Sequence, residues 1–265
     1  SGKISIVSGL DFSEPHRMFG KNFWDCENKV HKDSYLSITG KIESTKKKVF
    51  SSCFFSGDIE NKKDVEVNPK AVAKEFILNL SPGRTSELVK IVSNIVCTGS
   101  SREDLDLFEK QCIQAEQELE ALDYHTLKEE NKAWWEKVWN NSDIVIRGDK
   151  LNQQGIRFCI FQMFQTYHGA KKGTNIGAKG LTGEAYSGNA FWDTEVYCLP
   201  FYIFNNIEAA KNLLFFRYVT LPEARQRASE LDCEGAFYPI ATISGRECCT
   251  LWQHANLQLQ ASTAV

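Results

Sequence analysis

The chain has 265 residues, 42% of them hydrophobic, enough to bury a substantial core and to divide into two domains. Its formal charge of −3 gives no electrostatic footprint for nucleic acid, and the one basic run, Lys46 to Lys48, reads as a solvated loop or strand edge. No apolar run approaches the roughly 20 residues that span a bilayer, so no membrane span is expected, and no charged region followed by an apolar one stands in these residues to signal secretion.

Residues 1–100 alternate in polarity and are rich in β-branched side chains. "SYLSITGKIE", "KKVFSSCFFSG", "KAVAKEFILNL" and "SELVKIVSNIVCTG" each read as strands separated by Gly, Pro, Asn and Asp turns, which predicts an antiparallel sheet or part of a β-sandwich. From Ser101 the period becomes helical. "SREDLDLFEKQCIQAEQELEAL" opens on a Ser with acidic residues in its first turn and repeats Leu105, Phe108, Cys112, Ala115 and Leu119 at spacings of three and four. "DYHTLKEENKAWWEKVWN" predicts a second helix, and the two together read as a helical linker over 101–142. Its Trp134, Trp135 and Trp139 stand at helical spacing and read as packing rather than as a sugar platform.

Beyond it, "DIVIRGD" reads as a strand and turn. "LNQQGIRFCIFQMFQTYHG" then predicts a helix buried on several sides, with Ile156, Ile160, Met163 and Phe164 on one face and Phe158 and Phe161 widening it. "TEVYCLPFYIFN", "IEAAKNLLFFRYVT" and "LPEARQRASELD" continue as helices, the last with Pro222 in its first turn. Successive helices joined by short loops fit a helical barrel or bundle over 143–265. Nine cysteines, odd in number and never spaced as Cys-x-x-Cys, read as reduced thiols of a cytoplasmic protein, with neither a disulfide framework nor a zinc site.

One loop carries a candidate site. "KGLTGEAYSGNAFWDTE", residues 179–195, sets Gly180, Gly183 and Gly188 around Lys179, Glu184, Tyr186, Trp192, Asp193 and Glu195. Glycines let a backbone turn tightly and approach a ligand; Trp192 offers an apolar face to a pyranose, and Asp193 can accept paired hydrogen bonds from adjacent hydroxyls. On the residues alone, Asp193 as the N-cap of the next helix and Trp192 as core packing account for the pair equally well.

"DIVIRGD", "QQGIRFCIFQMFQ", "IGAKGLTGEAYSGNAFWDTEVYCLPFY", "AAKNLLFFRYVTLPEARQRA" and "GAFYPIATISGRECCTLWQHANLQLQASTAV" together resemble glycoside hydrolase family 65, most closely its kojibiose and nigerose phosphorylase branch. The resemblance covers about residues 101–265. It implies a multidomain α and β chain: a partial N-terminal β-sandwich (1–100), a helical linker (101–142) and the first part of an (α/α)6 catalytic barrel (143–265). The implied reaction is inverting phosphorolysis of an α-glucosidic disaccharide, in which a Glu protonates the bridging oxygen while phosphate attacks the anomeric carbon from the opposite face and gives β-glucose 1-phosphate. Phosphate serves as co-substrate with no other cofactor, so no carboxylate base is needed. A homodimer is implied too.

Residue by residue, Trp192 and Asp193 match the family's Trp-Asp pair that holds the donor glucosyl unit, which tips the even reading toward binding. Lys179, Glu184 and Tyr186 match the preceding loop, and Glu195 follows as a supporting partner. Trp252 and His254 lie where relatives vary with substrate and are candidates for the acceptor side. Asn189 stands where many relatives carry His, and Ile240 where many carry Trp. The family's general acid lies far beyond Asp193, past residue 265, so Glu184, Glu195, Glu234 and Glu247 are not candidates for it; these residues alone are expected to be inactive, with the remainder of the barrel supplied by the same gene product. A hydrolase on the same scaffold and a non-catalytic carbohydrate-binding protein are the alternatives.

Overall fold

The computed structural model describes residues 2–42, 45, 47–97, 99, 101–181, 183 and 185–265. The chain forms two compact units, Ser1–Ala133 and Trp134–Val265. Among the described residues no helix is long and apolar enough to cross a membrane.

Among the described residues, the first unit is built on seven strands. β1 (Gly2–Asp11), β6 (Ala71–Leu80) and β5 (Asn61–Val65) make one antiparallel sheet; β2 (Trp24–His31), β3 (Tyr35–Ile42), β4 (Lys48–Gly57) and β7 (Leu88–Cys97) make the other. The alternation that marked these strands now has a cause. Leu36 and Ile38 of β3, Cys53 and Phe55 of β4, and Val72, Phe76 and Leu78 of β6 form one buried cluster drawn from both sheets, which therefore face each other across a shared core. Lys74 is buried in β6, with its ammonium held by Asp64 of β5.

The helical segment read as a linker divides instead. α1 (Arg102–Leu119) starts with a full capping box: Ser101 accepts from the Asp104 backbone N–H at 3.1 Å, and the Ser101 N–H donates back to the Asp104 carboxylate at 3.1 Å. Phe108 of α1 packs on Phe50 and Cys97, and Leu119 on Tyr35 and Ile91, so this helix belongs to the sheet unit. α2 (Tyr124–Ser142) runs into the second unit, where Trp135, Val138 and Trp139 pack on Ile160 and Phe164 of α3 (Lys150–Thr166). The packing role read for the tryptophans holds for Trp135 and Trp139, whereas Trp134 is 39% exposed.

Two expectations are corrected here. "DIVIRGD" is not a strand: residues 143–149 have no partner strand, and the Gln153 side chain takes that place, accepting from the Ile146 N–H at 2.6 Å and donating to the Ile144 carbonyl at 2.8 Å. α3 is not buried on several sides either; its Ile160 and Phe164 are buried, but Phe158 is 59% exposed. The unit continues with α4 (Leu199–Asn205), α5 (Ile207–Val219) and α6 (Leu221–Glu230), then the short α7 (Trp252–Leu257) and α8 (Gln260–Ala264). Two short strands, β8 (Ala190–Phe191) and β9 (Ala241–Thr242), pair antiparallel. Tyr202, Ala209, Ala210 and Leu213 form the core of this helical part with Tyr167 and Ile176.

Candidate functional site

The site grows from the end of α3. The Met163 carbonyl accepts from the Tyr167 N–H at 3.0 Å, and the buried Tyr202 hydroxyl lies 2.7 Å from that carbonyl and 3.0 Å from the carbonyl of Tyr167, so a side chain braces the helix end. Burial pushes the Tyr202 phenol well above its usual range, so it remains a donor. The chain leaving α3 is tied to α5 by two asparagines. Asn206 caps α5, accepting from the Ala209 N–H at 3.1 Å, and donates to the His168 carbonyl at 3.2 Å; Asn212 donates to the Gly169 carbonyl at 2.6 Å. Gly169 has φ +79°, and a Cβ there would lie 2.7 Å from the Ala209 Cα, so this contact requires glycine.

The loop then closes on itself. The Ala178 N–H donates to the Asn189 carbonyl at 3.0 Å, and both the backbone N–H and the side-chain amide of Asn189 donate to the Tyr186 carbonyl, at 3.0 and 2.8 Å. Tyr186 and Ser187 hold left-handed conformations at φ +63° and +53°, a strain that non-glycine residues keep only where the surroundings impose it. Gly180 turns at φ +58° against Thr166. β8 fixes the exit of the loop by pairing with β9, and β9 is itself held by Glu247, whose carboxylate accepts from the N–H groups of Ile240, Ala241 and Cys249 at 2.8, 3.3 and 2.9 Å.

Trp192 and Asp193 follow at once. The Trp192 carbonyl accepts from the N–H groups of both Glu195 and Val196 at 3.1 Å, opening a π-helical turn over Thr194–Cys198, a geometry often found at functional positions. Asp193 stands at the N-cap of this turn but makes no capping hydrogen bond with its side chain; it is exposed and lines a cleft of about 410 Å³ with Lys179, Gln162, Thr166 and Tyr202. The capping role for Asp193 is therefore set aside. Cys198 borders the same cleft, and burial, with the negative charges of Asp193 and Glu195, pushes its thiol up.

The other candidates separate. Lys179 lines the cleft and lies over the Tyr186 ring, 5.7 Å from its centroid. Trp192 does not line the cleft; it is half-buried against Ala224, Tyr238 and Ala261. Glu195 touches no open space: its side chain is 2% exposed, and both oxygens are taken up by Arg217 of α5, at 2.7 and 3.0 Å. Its place is behind the cleft, where it is not in reach of a sugar. Trp252 and His254 are exposed on α7 and do not border the cleft. Glu184 lies outside the described residues. The residue the sequence reading passed over is Arg217. Its signal was a lone charge inside the apolar run "LLFFRYV", where a guanidinium requires a buried partner.

A larger concavity of about 980 Å³ lies along α3 between Trp139, Leu151, Phe158 and Phe161. Two of its charged groups are engaged, Asp149 as the cap of α3 and Arg157 in a bidentate pair with Asp143, and Lys150 is the third charged residue of its lining.

Comparison with known proteins gives the family. Residues 1–138 match the N-terminal domain of glycosyl hydrolase family 65, and residues 157–264 match its central catalytic domain. The chain belongs to glycosyl hydrolase family 65. An α,α-trehalose phosphorylase of Geobacillus stearothermophilus is 35% identical over 99% of this chain and 34% of its own length. A maltose phosphorylase of Bacillus subtilis is 42% identical over 54% of this chain and 19% of its own, and a kojibiose phosphorylase of Halothermothrix orenii is 30% identical over 90% and 32%. A solved structure, "Putative kojibiose phosphorylase from human microbiome", superposes with a TM-score of 0.84 at 37% identity, over 99% of this chain and 34% of that one. The family 65 chain thus spans about a third or less of the length of these relatives.

Proposed function

We propose that this family 65 chain carries the donor-sugar side of an inverting α-glucoside phosphorylase. The observation that carries the reading is Asp193: an exposed carboxylate, free of any capping bond, at the lip of a cleft whose other charged wall is Lys179. A carboxylate so placed can accept two hydrogen bonds from vicinal hydroxyls of a glucosyl unit, and such charge-assisted bonds are the strong ones. Trp192 anchors the pair from the packed side.

In the proposed reaction, inorganic phosphate attacks the anomeric carbon as the acid protonates the leaving oxygen from the opposite face, and neither a carboxylate base nor a further cofactor is needed. Two carboxylates beside the cleft are committed elsewhere, Glu195 to Arg217 and Glu247 to three backbone N–H groups. This supports placing the acid outside these 265 residues, on polypeptide that also completes the (α/α)6 barrel. Exposed apolar side chains on the helices, Phe204 at 87% and Tyr218 at 70%, support such a complement. We place the protein in the cytoplasm, a reading that nine free cysteines support.

Relatives named for trehalose, maltose and kojibiose share 30–42% identity with this chain, so the proposed substrate is the class of α-linked glucosyl disaccharides rather than one linkage. The test is an anomer-resolved proton NMR assay of the whole enzyme on kojibiose, nigerose, maltose and trehalose, with and without phosphate. β-Glucose 1-phosphate formed only when phosphate is present is the expected result. Free glucose formed without phosphate replaces phosphorolysis by hydrolysis, and an unchanged spectrum on every sugar points to a binding protein.

A further inference from the structure

We infer that Arg217 is a positioning residue: its buried ion pair with Glu195 and its link to Tyr238 hold the Trp192–Asp193 turn in register with the cleft. The pair is bidentate, Nε to Oε1 at 2.7 Å and Nη2 to Oε2 at 3.0 Å, and both side chains are at most 2% exposed. It grips the turn along two routes. Through the backbone, Glu195 donates its N–H to the Trp192 carbonyl, so fixing the Glu195 side chain fixes the turn that presents Asp193. Through packing, the Tyr238 hydroxyl donates to the Arg217 carbonyl at 3.1 Å while the Tyr238 ring belongs to the cluster that seats Trp192. The guanidinium also lies over the rings of Phe216 and Tyr238, 5.7 and 5.8 Å from their centroids.

A buried ion pair is an expensive way to stabilise a fold, because apolar residues of similar volume are often as good or better. Arg217 here even leaves Nη1 without a hydrogen-bond partner among the described residues. What the pair supplies that apolar packing would not is direction. A planar fork meeting a planar carboxylate fixes both distance and angle, and the two residues come from α5 and from the turn itself. The cleft-facing Asp193 is then held by groups that never touch the sugar.

The inference rests on the phosphorylase reading only for its substrate. In the whole enzyme, Arg217→Lys, Arg217→Met, Tyr238→Phe and the apolar pair Glu195→Met with Arg217→Met are compared by melting temperature, by kcat/KM for the disaccharide and by KM for phosphate. The apolar pair is expected to fold and to lose about 100-fold in disaccharide kcat/KM, the loss that a misplaced contact produces. KM for phosphate should stay within about twofold, and Arg217→Lys should retain more activity than Arg217→Met. A folded apolar pair with disaccharide kcat/KM within about twofold of wild type overturns the inference. Should that pair not melt cooperatively, Tyr238→Phe and Arg217→Lys decide: a fall in disaccharide kcat/KM at unchanged melting temperature supports positioning, and losses that only follow melting temperature overturn it. A wild-type enzyme that forms no β-glucose 1-phosphate fails the phosphorylase reading instead. Glucose titration by calorimetry then decides, with weaker binding by Arg217→Lys in support and equal binding, or none by wild type, against.

Discussion

Asp193 and Glu195 are two residues apart and do opposite work. Asp193 keeps its carboxylate free at the cleft, whereas Glu195 spends both oxygens on Arg217 behind it. Nothing in "WDTE" separates them, because the difference lies in a partner more than 20 positions away on α5. The same scale governs the cysteines. Burial pushes the Cys53 and Cys112 thiols up to about 11, while Cys159, Cys233 and Cys248 are exposed. Since the thiolate is the nucleophile, iodoacetamide at pH 8 should alkylate those three in the chain well before Cys53 and Cys112, as followed by peptide mass spectrometry.

At the scale of elements, caps and strands were legible and exceptions were not. The Ser101 capping box could be read from "SREDL", and Ser101→Ala should cost about 1 kcal/mol in a denaturant melt. β3, β4 and β6 stood out because a strand with one face in a core must alternate, and their inward residues form the shared cluster; β7 packs its Ile91 and Cys97 against α1 instead. "DIVIRGD" carries a β-branched run of the kind that favours strands yet pairs with no strand, since a side-chain amide on α3 answers its backbone. Gln153→Ala should therefore cost about 1 kcal/mol, the net worth of a hydrogen bond, and should accelerate amide exchange at Ile146. Gly169→Ala is the harsher change. Its Cβ would drive into the backbone of α5 at Ala209, so a drop of at least about 2 kcal/mol is expected, with the loop before the cleft displaced.

The whole molecule shows where sequence reading stopped. Sheets followed by helices were legible from the change of period near residue 100, but the division between units falls inside α2 rather than in a linker, because α1 finds its apolar partners on the sheet. The candidate cleft was half legible: its lip at Lys179 and Asp193 came from a motif, its floor at Tyr202 and its support at Arg217 from contacts no local pattern encodes. Stability against pH is also set at this scale. Hydrogen bonds from Lys74 to Asp64 and from Arg157 to Asp143 hold both carboxyls below their usual range. A depressed carboxyl stabilises the fold only while it is ionised, so that contribution is complete above the unfolded value of about 4 and disappears as pH falls through the lower folded values. Melting temperature should be flat from pH 7 to about 5 and should fall below about 4; a rise on acidification would contradict these pairings.

Whether Asp193 holds the donor glucosyl unit is decided by one variant. Asp193→Asn removes the charge and keeps the shape, and its kcat/KM is measured in the whole enzyme for phosphorolysis and for the reverse reaction from β-glucose 1-phosphate with several acceptor sugars. Loss of a charged hydrogen-bond acceptor should cost roughly 10- to 100-fold, equally in both directions and for every acceptor. A loss confined to one acceptor would move Asp193 to the other side of the scissile bond, and wild-type rates throughout would remove it from the site.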